Sequence, residues 1–325
     1  MSPDPAFRCA TAARERGDPP LGTAPVARSF LLIEHPGPWR FDALAGTDWS
    51  AGIKAELTAA VRDAGARLLL IRRPGRRRRH GPRSWGAVRV GGSGIWGTWH
   101  DERDLGEAAA ALRSAVGSTP PDAAPTAAAN PVLLVCAHGV HDACCAVRGR
   151  PVAAALAERW PAATWECSHV GGDRFAANLV VLPDGTYYGN LGQDSAVAVV
   201  SDHFDGRVDP GHLRGSTRWA PPAQAAVGAI HRHFGPFGVD QVAPESILAS
   251  QSTPDRPLPD QLSDRARPSW QVTVTGPGLR WQVDVVATQR PAAVLTCAAQ
   301  RPTSSTAYRI LEIRSARPDQ NITIR

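Results

Sequence analysis

The stretch PVLLVCAHGVHDACCAVRG, residues 131–149, leads from an apolar run into a helix through a loop rich in soft ligands. The run of large aliphatic residues before Cys136 is typical of a buried strand. The small residues that follow Asp142 predict a helix. Three of the six cysteines of the chain, Cys136, Cys144 and Cys145, fall at this junction, together with two of its ten histidines. The junction between strand and helix is therefore the first candidate for a metal or redox site.

The elements around this stretch predict two units with the same order of elements, β-α-β-β-α. In residues 132–205 the strand and helix are followed by a strand in ATWECSH, a hairpin that turns at Asp184-Gly185, and a helix. Residues 28–117 show the same order, and the proline-rich residues 118–131 predict a linker. We therefore expect an α/β fold of two tandem units, each with a parallel β-α-β crossover.

The two ends of the chain differ from these units. Residues 1–27 are rich in Pro, Ala and Arg without a period, so we expect a flexible arm. Residues 206–325 predict a helix in AQAAVGAIHRHFG, whose His231 and His233 we expect at the surface. A hairpin in SWQVTVTGPGLRWQVDVVATQ and two strands in AAVLTCAAQ and AYRILEIRSA predict a β-rich C-terminal extension that packs on the second unit. Residues 244–268 predict a surface excursion.

The composition predicts a globular protein of the cytoplasm. Of the 325 residues, 43% are hydrophobic and 20% charged, and no window approaches 18 uninterrupted apolar residues, so we expect neither export nor a membrane span. The net charge is +6, with a basic run at residues 72–83. That run lacks interleaved aromatic residues, which favours a solvated loop, or a docking site for an acidic redox partner, over nucleic acid. No P-loop, G-x-G-x-x-G turn or Ser-His-Asp order indicates an NTPase, a nicotinamide enzyme or a hydrolase.

Three kinds of chemistry fit the cysteine junction. Thiol–disulfide exchange needs two thiols at suitable spacing, but the chain contains no CxxC, and the adjacent Cys144 and Cys145 would form only a strained bridge. Structural zinc usually shows two close pairs of ligands, but the only comparable pair here is His169 with Asp173, and Cys136 is separated from Cys144 and Cys145 by a wide loop. A [2Fe–2S] cluster needs four ligands, and imidazole replaces thiolate in some of these clusters.

The sequence resembles a family at this point. From Cys136 to Leu191 it is similar to the thioredoxin-like [2Fe–2S] ferredoxins, and the whole chain resembles the actinobacterial sucrase/ferredoxin-like proteins. The anchors are Cys136, CAVRG at residues 145–149, HVGGD at residues 169–173 and PDGTYYGNL at residues 183–191. At the positions that align with HVGGD, the plain family members carry C-x-x-x-C, and a fungal branch carries H-x-x-x-H. The resemblance implies two thioredoxin-like units, the second of which holds the cluster.

Carried over position by position, the resemblance implies that Cys136, Cys145, His169 and Asp173 are the ligands of a [2Fe–2S] cluster. Asp173 departs from both family patterns, because a carboxylate is a harder ligand than thiolate or imidazole. Cys167 and Cys144 are close enough in sequence to replace it, and Cys167 shares a strand face with His169. An open or water-filled fourth position is the remaining alternative.

The resemblance implies one-electron transfer from a reductase to an oxidoreductase partner or a small substrate, with no oligomeric state indicated. The alternatives are a non-redox protein with a structural zinc staple, and a reductase acting on its own substrate in a cleft between the units. We expect His138 and His141 to lie outside the ligand set, with Arg148 and Arg174 beside it. We expect Cys9 to have no role in the site and Cys297 to be a structural residue at the end of a core strand.

Overall fold

The computed structural model describes residues 6–75, 81–117, 131–250, 267–315 and 323–324. The linker predicted at residues 118–131 therefore lies almost wholly outside the described residues, as do residues 76–80 of the basic run and most of the predicted excursion at residues 244–268. None of the helices in the described ranges is long and apolar enough to cross a membrane.

The protein has a mixed α/β fold with two sheets. The N-terminal part consists of α1 (Cys9–Glu15), β1 (Ser29–Glu34), α2 (Ala51–Asp63), β2 (Ala66–Arg72), β3 (Arg83–Arg89), β4 (Gly94–Trp99) and α3 (Leu105–Gly117). The central part consists of β5 (Val132–Cys136), α4 (Ala143–Arg159), β6 (Thr164–Cys167), β7 (Leu179–Leu182), β8 (Thr186–Tyr188), α5 (Gln193–Phe204) and β9 (Leu213–Ser216). The C-terminal part consists of α6 (Pro221–Phe234), β10 (Ala243–Ser250), β11 (Ser269–Gly276), β12 (Leu279–Gln289), β13 (Thr306–Ser315) and β14 (Thr323–Ile324).

The first nine strands form one sheet in the order β4-β3-β1-β2-β6-β5-β7-β8-β9. The predicted β-α-β-β-α order is present twice, and in each half the first strand lies between a parallel second strand and an antiparallel third strand. The halves join where β2 pairs antiparallel with β6, at Ile71↔Cys167 and Arg72↔Glu166. One continuous sheet therefore runs through both halves.

The two faces of this sheet carry different cores, because successive strand residues point to opposite sides. Leu31 of β1 packs in a cluster with residues of α2 and α3, and Leu133 of β5 packs in a cluster with residues of α4 and α5. The alternate residues Leu32 and Leu134 belong to a single cluster that spans both halves and includes Cys136. The site thus lies at the edge of a core shared by both halves.

The N-terminal residues 6–27 differ from the flexible arm that we expected. Cys9, Ala10 and Ala13 of α1 are buried, and Gly22 and Thr23 donate backbone hydrogen bonds to the Arg214 carbonyl. The sequence of this segment shows no apolar periodicity because its small residues are buried by packing against the central part of the chain.

The C-terminal sheet has the order β10-β11-β12-β13-β14 and packs on α6. The predicted hairpin is confirmed, with Gly276 paired to Leu279 across the turn. The strand expected at residues 292–300 is wrong, since that segment is irregular apart from a bridge between Ala293 and Thr303. Residues 243–250, where we expected the excursion to begin, form β10 instead.

Candidate metal centre

Cys136 and Cys145 are brought together by the strand-loop-helix junction. Cys136 is the last residue of β5, and Cys145 lies in the first turn of α4, whose N-cap Asp142 accepts a hydrogen bond from the Cys144 amide at 2.8 Å. Both thiols are buried. Gly149 permits this approach, because a Cβ at that position would collide with the Cys136 carbonyl oxygen. The last residue of the CAVRG motif therefore has a packing role.

His169 and Asp173 lie in the loop that follows β6. Asp173 begins a short 3₁₀ turn that ends at Phe175, and the preceding Gly172 has a φ of 77°, in the left-handed region. The thiol of Cys145 donates to Asp173 Oδ1 at 3.1 Å, and His169 Nδ1 lies 2.9 Å from the same oxygen. That nitrogen is buried and forms an ion pair with Asp173 when the imidazole is protonated. Donor atoms from the junction and the loop thus converge on one another.

The protonation states of this set are strongly coupled. The contact with Cys145, with His169 adding to it, lowers the pKa of Cys136 to about 5 in spite of burial. The same contact, together with burial, raises the pKa of Cys145 far above its ordinary value. Burial opposes protonation of His169, but the neighbouring Asp173 and Cys136 raise its pKa to about 9. Burial likewise opposes ionisation of Asp173, but His169 lowers its pKa. A Cys136 thiolate and an Asp173 carboxylate, the forms that bind metals, are therefore favoured at neutral pH.

The two alternative cysteines lie in different surroundings. Cys167 is fully buried beside Cys136, its partner in the β5–β6 ladder, and burial raises the pKa of its thiol. Cys144 faces away from the set, with its sulfur 3.5 Å from that of Cys297. Adjacent residues of α4 therefore direct their thiols toward two different clusters.

The two histidines of the junction loop have distinct roles. His138 is buried; its Nε2 donates to the Arg40 carbonyl at 2.7 Å, and its Nδ1 accepts the His169 amide at 3.3 Å. Both ring nitrogens are thus engaged, and His138 fixes the His169 backbone. His141 stacks on the His169 ring with centroids 3.7 Å apart, and its Nε2 lies 3.9 Å from Asp173 Oδ2. His141, His169 and Asp173 also form a group of donors that could hold an ion.

Arg214 of β9 is a site residue that our sequence analysis did not identify. It is fully buried and donates to Gly171 O and Asn178 Oδ1, each at 2.9 Å. Arg214 therefore places a buried positive charge against the loop that contains Gly171. Arg174 lies 3.7 Å from Asp18, and Arg148 donates to Thr11 at 2.9 Å, so both contact the N-terminal segment.

The basic run contributes to the structure at its start rather than forming only a solvated loop. Arg72 is buried against Glu166 with an N–O distance of 2.7 Å. Arg73 donates to three backbone carbonyls near β6 and lies over the Trp165 ring at 3.5 Å. Both arginines hold β2 against the central part of the chain.

A mixed α/β fold with a buried group of thiol, imidazole and carboxylate donors defines a candidate metal-binding protein. The sucrase/ferredoxin-like family model matches residues 20–215, which is more than half of the chain. This protein belongs to the sucrase/ferredoxin-like family. Comparison with curated proteins and with solved structures found no match.

Proposed function

We propose that this protein is a one-electron carrier that holds a [2Fe–2S] cluster through Cys136, Cys145, His169 and Asp173. The observation that carries the proposal is the convergence of these four side chains at the edge of one buried core. Two of them come from the junction of β5 and α4, and the other two come from the loop after β6, at least 24 residues further along the chain. A ferredoxin-like role is also what the family description suggests.

The donor set suits the cluster. Thiolates are the usual ligands of iron–sulfur clusters, and imidazole is an accepted replacement. Asp173 is the hardest ligand of the set, but its carboxylate lies within contact of both Cys145 and His169. When bound, a [2Fe–2S] cluster supplies reversible one-electron exchange.

The surrounding residues prepare the site for this role. Cys136, Cys145 and Asp173 are buried and exclude water, whereas the His169 and His141 side chains are 27% and 21% exposed. These imidazoles are the part of the site nearest to solvent and so the edge through which a partner exchanges electrons. The buried Arg214 cation favours the more negative, reduced state.

The proposal includes the finer features that the family resemblance implies. Each β-α-β-β-α half is a thioredoxin-like unit, which the repeated strand arrangement supports. The electron donor is a reductase and the acceptor an oxidoreductase or a small substrate, in the cytoplasm. A structural zinc ion at the same residues, and reduction of a substrate held by this protein itself, are the competing functions. A cavity of about 420 Å³ lined by Asp184, His203 and Asp240 contains none of the proposed ligands.

The test is anaerobic purification followed by iron analysis, visible absorption and electron paramagnetic resonance. We expect two iron atoms per chain, visible bands that bleach with dithionite, and loss of both in Cys136→Ser and Cys145→Ser, because each removes a thiolate ligand. Cys297→Ser is the matched control and keeps its iron. Colourless wild-type protein with zinc bound at Cys136 would exclude electron transfer.

A further inference from the structure

A second group of metal-binding side chains lies on the other side of the α4 N-terminus. It contains Cys9 of α1, Asp142 and Cys144 at the start of α4, and Cys297 from the segment between β12 and β13. One donor atom from each of the four residues lies within 4.8 Å of every other. Cys9, Asp142 and Cys144 are buried, and Cys297 is partly buried.

We propose that Cys9, Asp142, Cys144 and Cys297 bind one structural Zn²⁺ ion. The assignment does not rest on the cluster proposed above, because the two donor sets share no residue. Zinc is the metal that three thiolates and one carboxylate favour, since it accepts sulfur and oxygen ligands in a closed tetrahedral site.

The distances fit a tetrahedral ion. With Zn–S bonds of about 2.3 Å, two sulfurs on one zinc ion lie about 3.8 Å apart, and a sulfur and a carboxylate oxygen about 3.6 Å apart. Cys297 Sγ lies 3.5 Å from Cys144 Sγ and 3.6 Å from Cys9 Sγ. Cys9 Sγ lies 3.5 Å from each carboxylate oxygen of Asp142. These three spacings match those around a tetrahedral ion, and every other pair of donors lies within 4.8 Å.

The same geometry argues against a disulfide as the use of these cysteines. Every pair of donors lies within 4.8 Å, close to twice the Zn–S distance of about 2.3 Å, so all four can reach one ion. A disulfide would engage two of the sulfurs and leave the third thiol beside a carboxylate. Three sulfurs that are mutually close around Asp142 are explained by an ion that all of them contact.

Asp142 is held in place for this role. One carboxylate oxygen accepts the Cys144 amide at 2.8 Å, and the other accepts the Cys297 amide at 2.7 Å. Metal-binding carboxylates are characteristically oriented by such hydrogen bonds.

The ion would join three segments that are far apart in sequence. α1 packs on the turn that contains Asp173, where Arg14 donates to the Ala176 carbonyl at 3.0 Å. Cys144 and Cys145 are adjacent in α4 and serve different sites. Binding of zinc at Cys9 and Cys144 therefore holds α1 against the start of α4.

The test uses the full-length protein expressed with zinc and iron and analysed for both metals. We expect about one zinc per chain, with an X-ray absorption first shell of three sulfurs at about 2.3 Å and one oxygen at about 2.0–2.2 Å. Cys9→Ser and Cys297→Ser should each weaken zinc binding, measured by competition with a chromogenic chelator, by at least about 100-fold, since even an outer partner contributes about 10–100-fold. Cys167→Ser is the matched buried control and keeps its zinc.

The two sites are separated by the metal that each variant loses. Cys136→Ser should lose iron and retain zinc, whereas Cys297→Ser should lose zinc and retain iron. Wild-type protein without zinc, iron in a mononuclear sulfur site, or a Cys144–Cys297 disulfide found by peptide mass spectrometry would each overturn the assignment. If the variants do not fold, the sulfur count around zinc in the wild-type protein decides the question.

Discussion

Asp173 is the residue at which this chain departs from the ligand pattern that the resemblance implies. Its carboxylate contacts both Cys145 and His169, and the low pKa that His169 imposes keeps it ionised. An anionic oxygen therefore stands where the resemblance leads us to expect a thiolate or an imidazole. Asp173 contacts two of the other proposed ligands, whereas Cys144 contacts Cys297.

Substitution at Asp173 tests its role. We expect Asp173→Ala to shorten the lifetime of the cluster in the presence of a chelator by at least about 10–100-fold, the effect of losing even an outer-shell partner. Asp173→His should keep the iron and raise the midpoint potential, because a neutral donor replaces an anionic one. The measurements are iron release and a potentiometric titration. If Asp173→Ala is stable and Cys167→Ser loses iron, Cys167 is the fourth ligand.

At the residue scale, the sequence indicated which side chains lie together better than it indicated their supporting partners. The family resemblance implied Cys136, Cys145, His169 and Asp173 as a set, and the structure brings these four side chains close to one another. Arg214 was not identified, since its segment, LRGS, lies outside the four anchors of the resemblance. A buried arginine is fixed by its tertiary contacts, here with Gly171 and Asn178, which no local pattern indicates.

At the scale of elements, the packing of α4 on β5 depends on Gly149. A side chain there would meet the backbone oxygen of Cys136, which cannot rotate away as a flexible side chain can. We expect Gly149→Ala to lower the free energy of unfolding by about 1–3 kcal/mol, as overpacking does, and to weaken iron binding by displacing α4. Chemical denaturation and iron analysis measure the two effects.

Gly52 of α2 is the matched control for Gly149. A Cβ at Gly52 has no neighbour within 4 Å. Gly52→Ala should therefore leave iron content unchanged and alter stability by less than about 1 kcal/mol, in the stabilising direction that helix propensity predicts. Equal losses of stability in the two variants would contradict close packing at Gly149.

His231 of α6 makes stability depend on pH. We expected a surface residue, but it is buried at 3% exposure, and burial lowers its pKa to about 4. Since the unfolded chain takes up this proton near pH 6.5, the stabilisation is present above pH 6.5 and is lost as the pH falls toward 4. At about 1.4 kcal/mol per pH unit, the loss is about 3 kcal/mol.

Denaturation at several pH values measures this dependence. His231→Gln should flatten the decline between pH 6.5 and pH 4, because the replacement does not titrate. The exposed neighbour His233, replaced in the same way, should leave the decline unchanged. An unaltered acid slope in His231→Gln would show that other groups cause it.

Elements with strong local signals were predicted, and elements held by tertiary contacts were not. The β11–β12 hairpin was predicted from its Gly-Pro-Gly turn, and α2 from Ser50, whose side chain accepts the Ile53 amide. α1 was missed because its small residues are buried only by other parts of the chain. Cys297 was placed in a strand from its apolar neighbours, but the segment is irregular and is held by Asp142.

At the scale of the whole molecule, the joining of the two halves is the feature that the sequence did not indicate. The repeated order of elements predicted two units, but β2 and β6 share only two ladder pairs, and neither strand carries a sign of its partner. The pairing of β2 with β6 forms a seam between the halves, and the ion pair of Arg72 and Glu166 lies there, with side chains 8% and 10% exposed. Cys167, next to Glu166, pairs with both halves of the sheet, so the seam adjoins the proposed cluster.

The seam predicts that breaking this ion pair destabilises the molecule. Removing one partner of a buried pair leaves an uncompensated charge and costs about 3–5 kcal/mol. Glu166→Gln should lie at the lower end, because the amide oxygen still accepts a hydrogen bond from Arg72, and the Arg72→Met/Glu166→Gln double variant should recover part of the loss. Asp63→Asn, in the exposed pair with Arg62, should cost no more than about 1 kcal/mol. Chemical denaturation of the four proteins measures these losses, and equal costs for Glu166→Gln and Asp63→Asn would show that the seam does not depend on this charge pair.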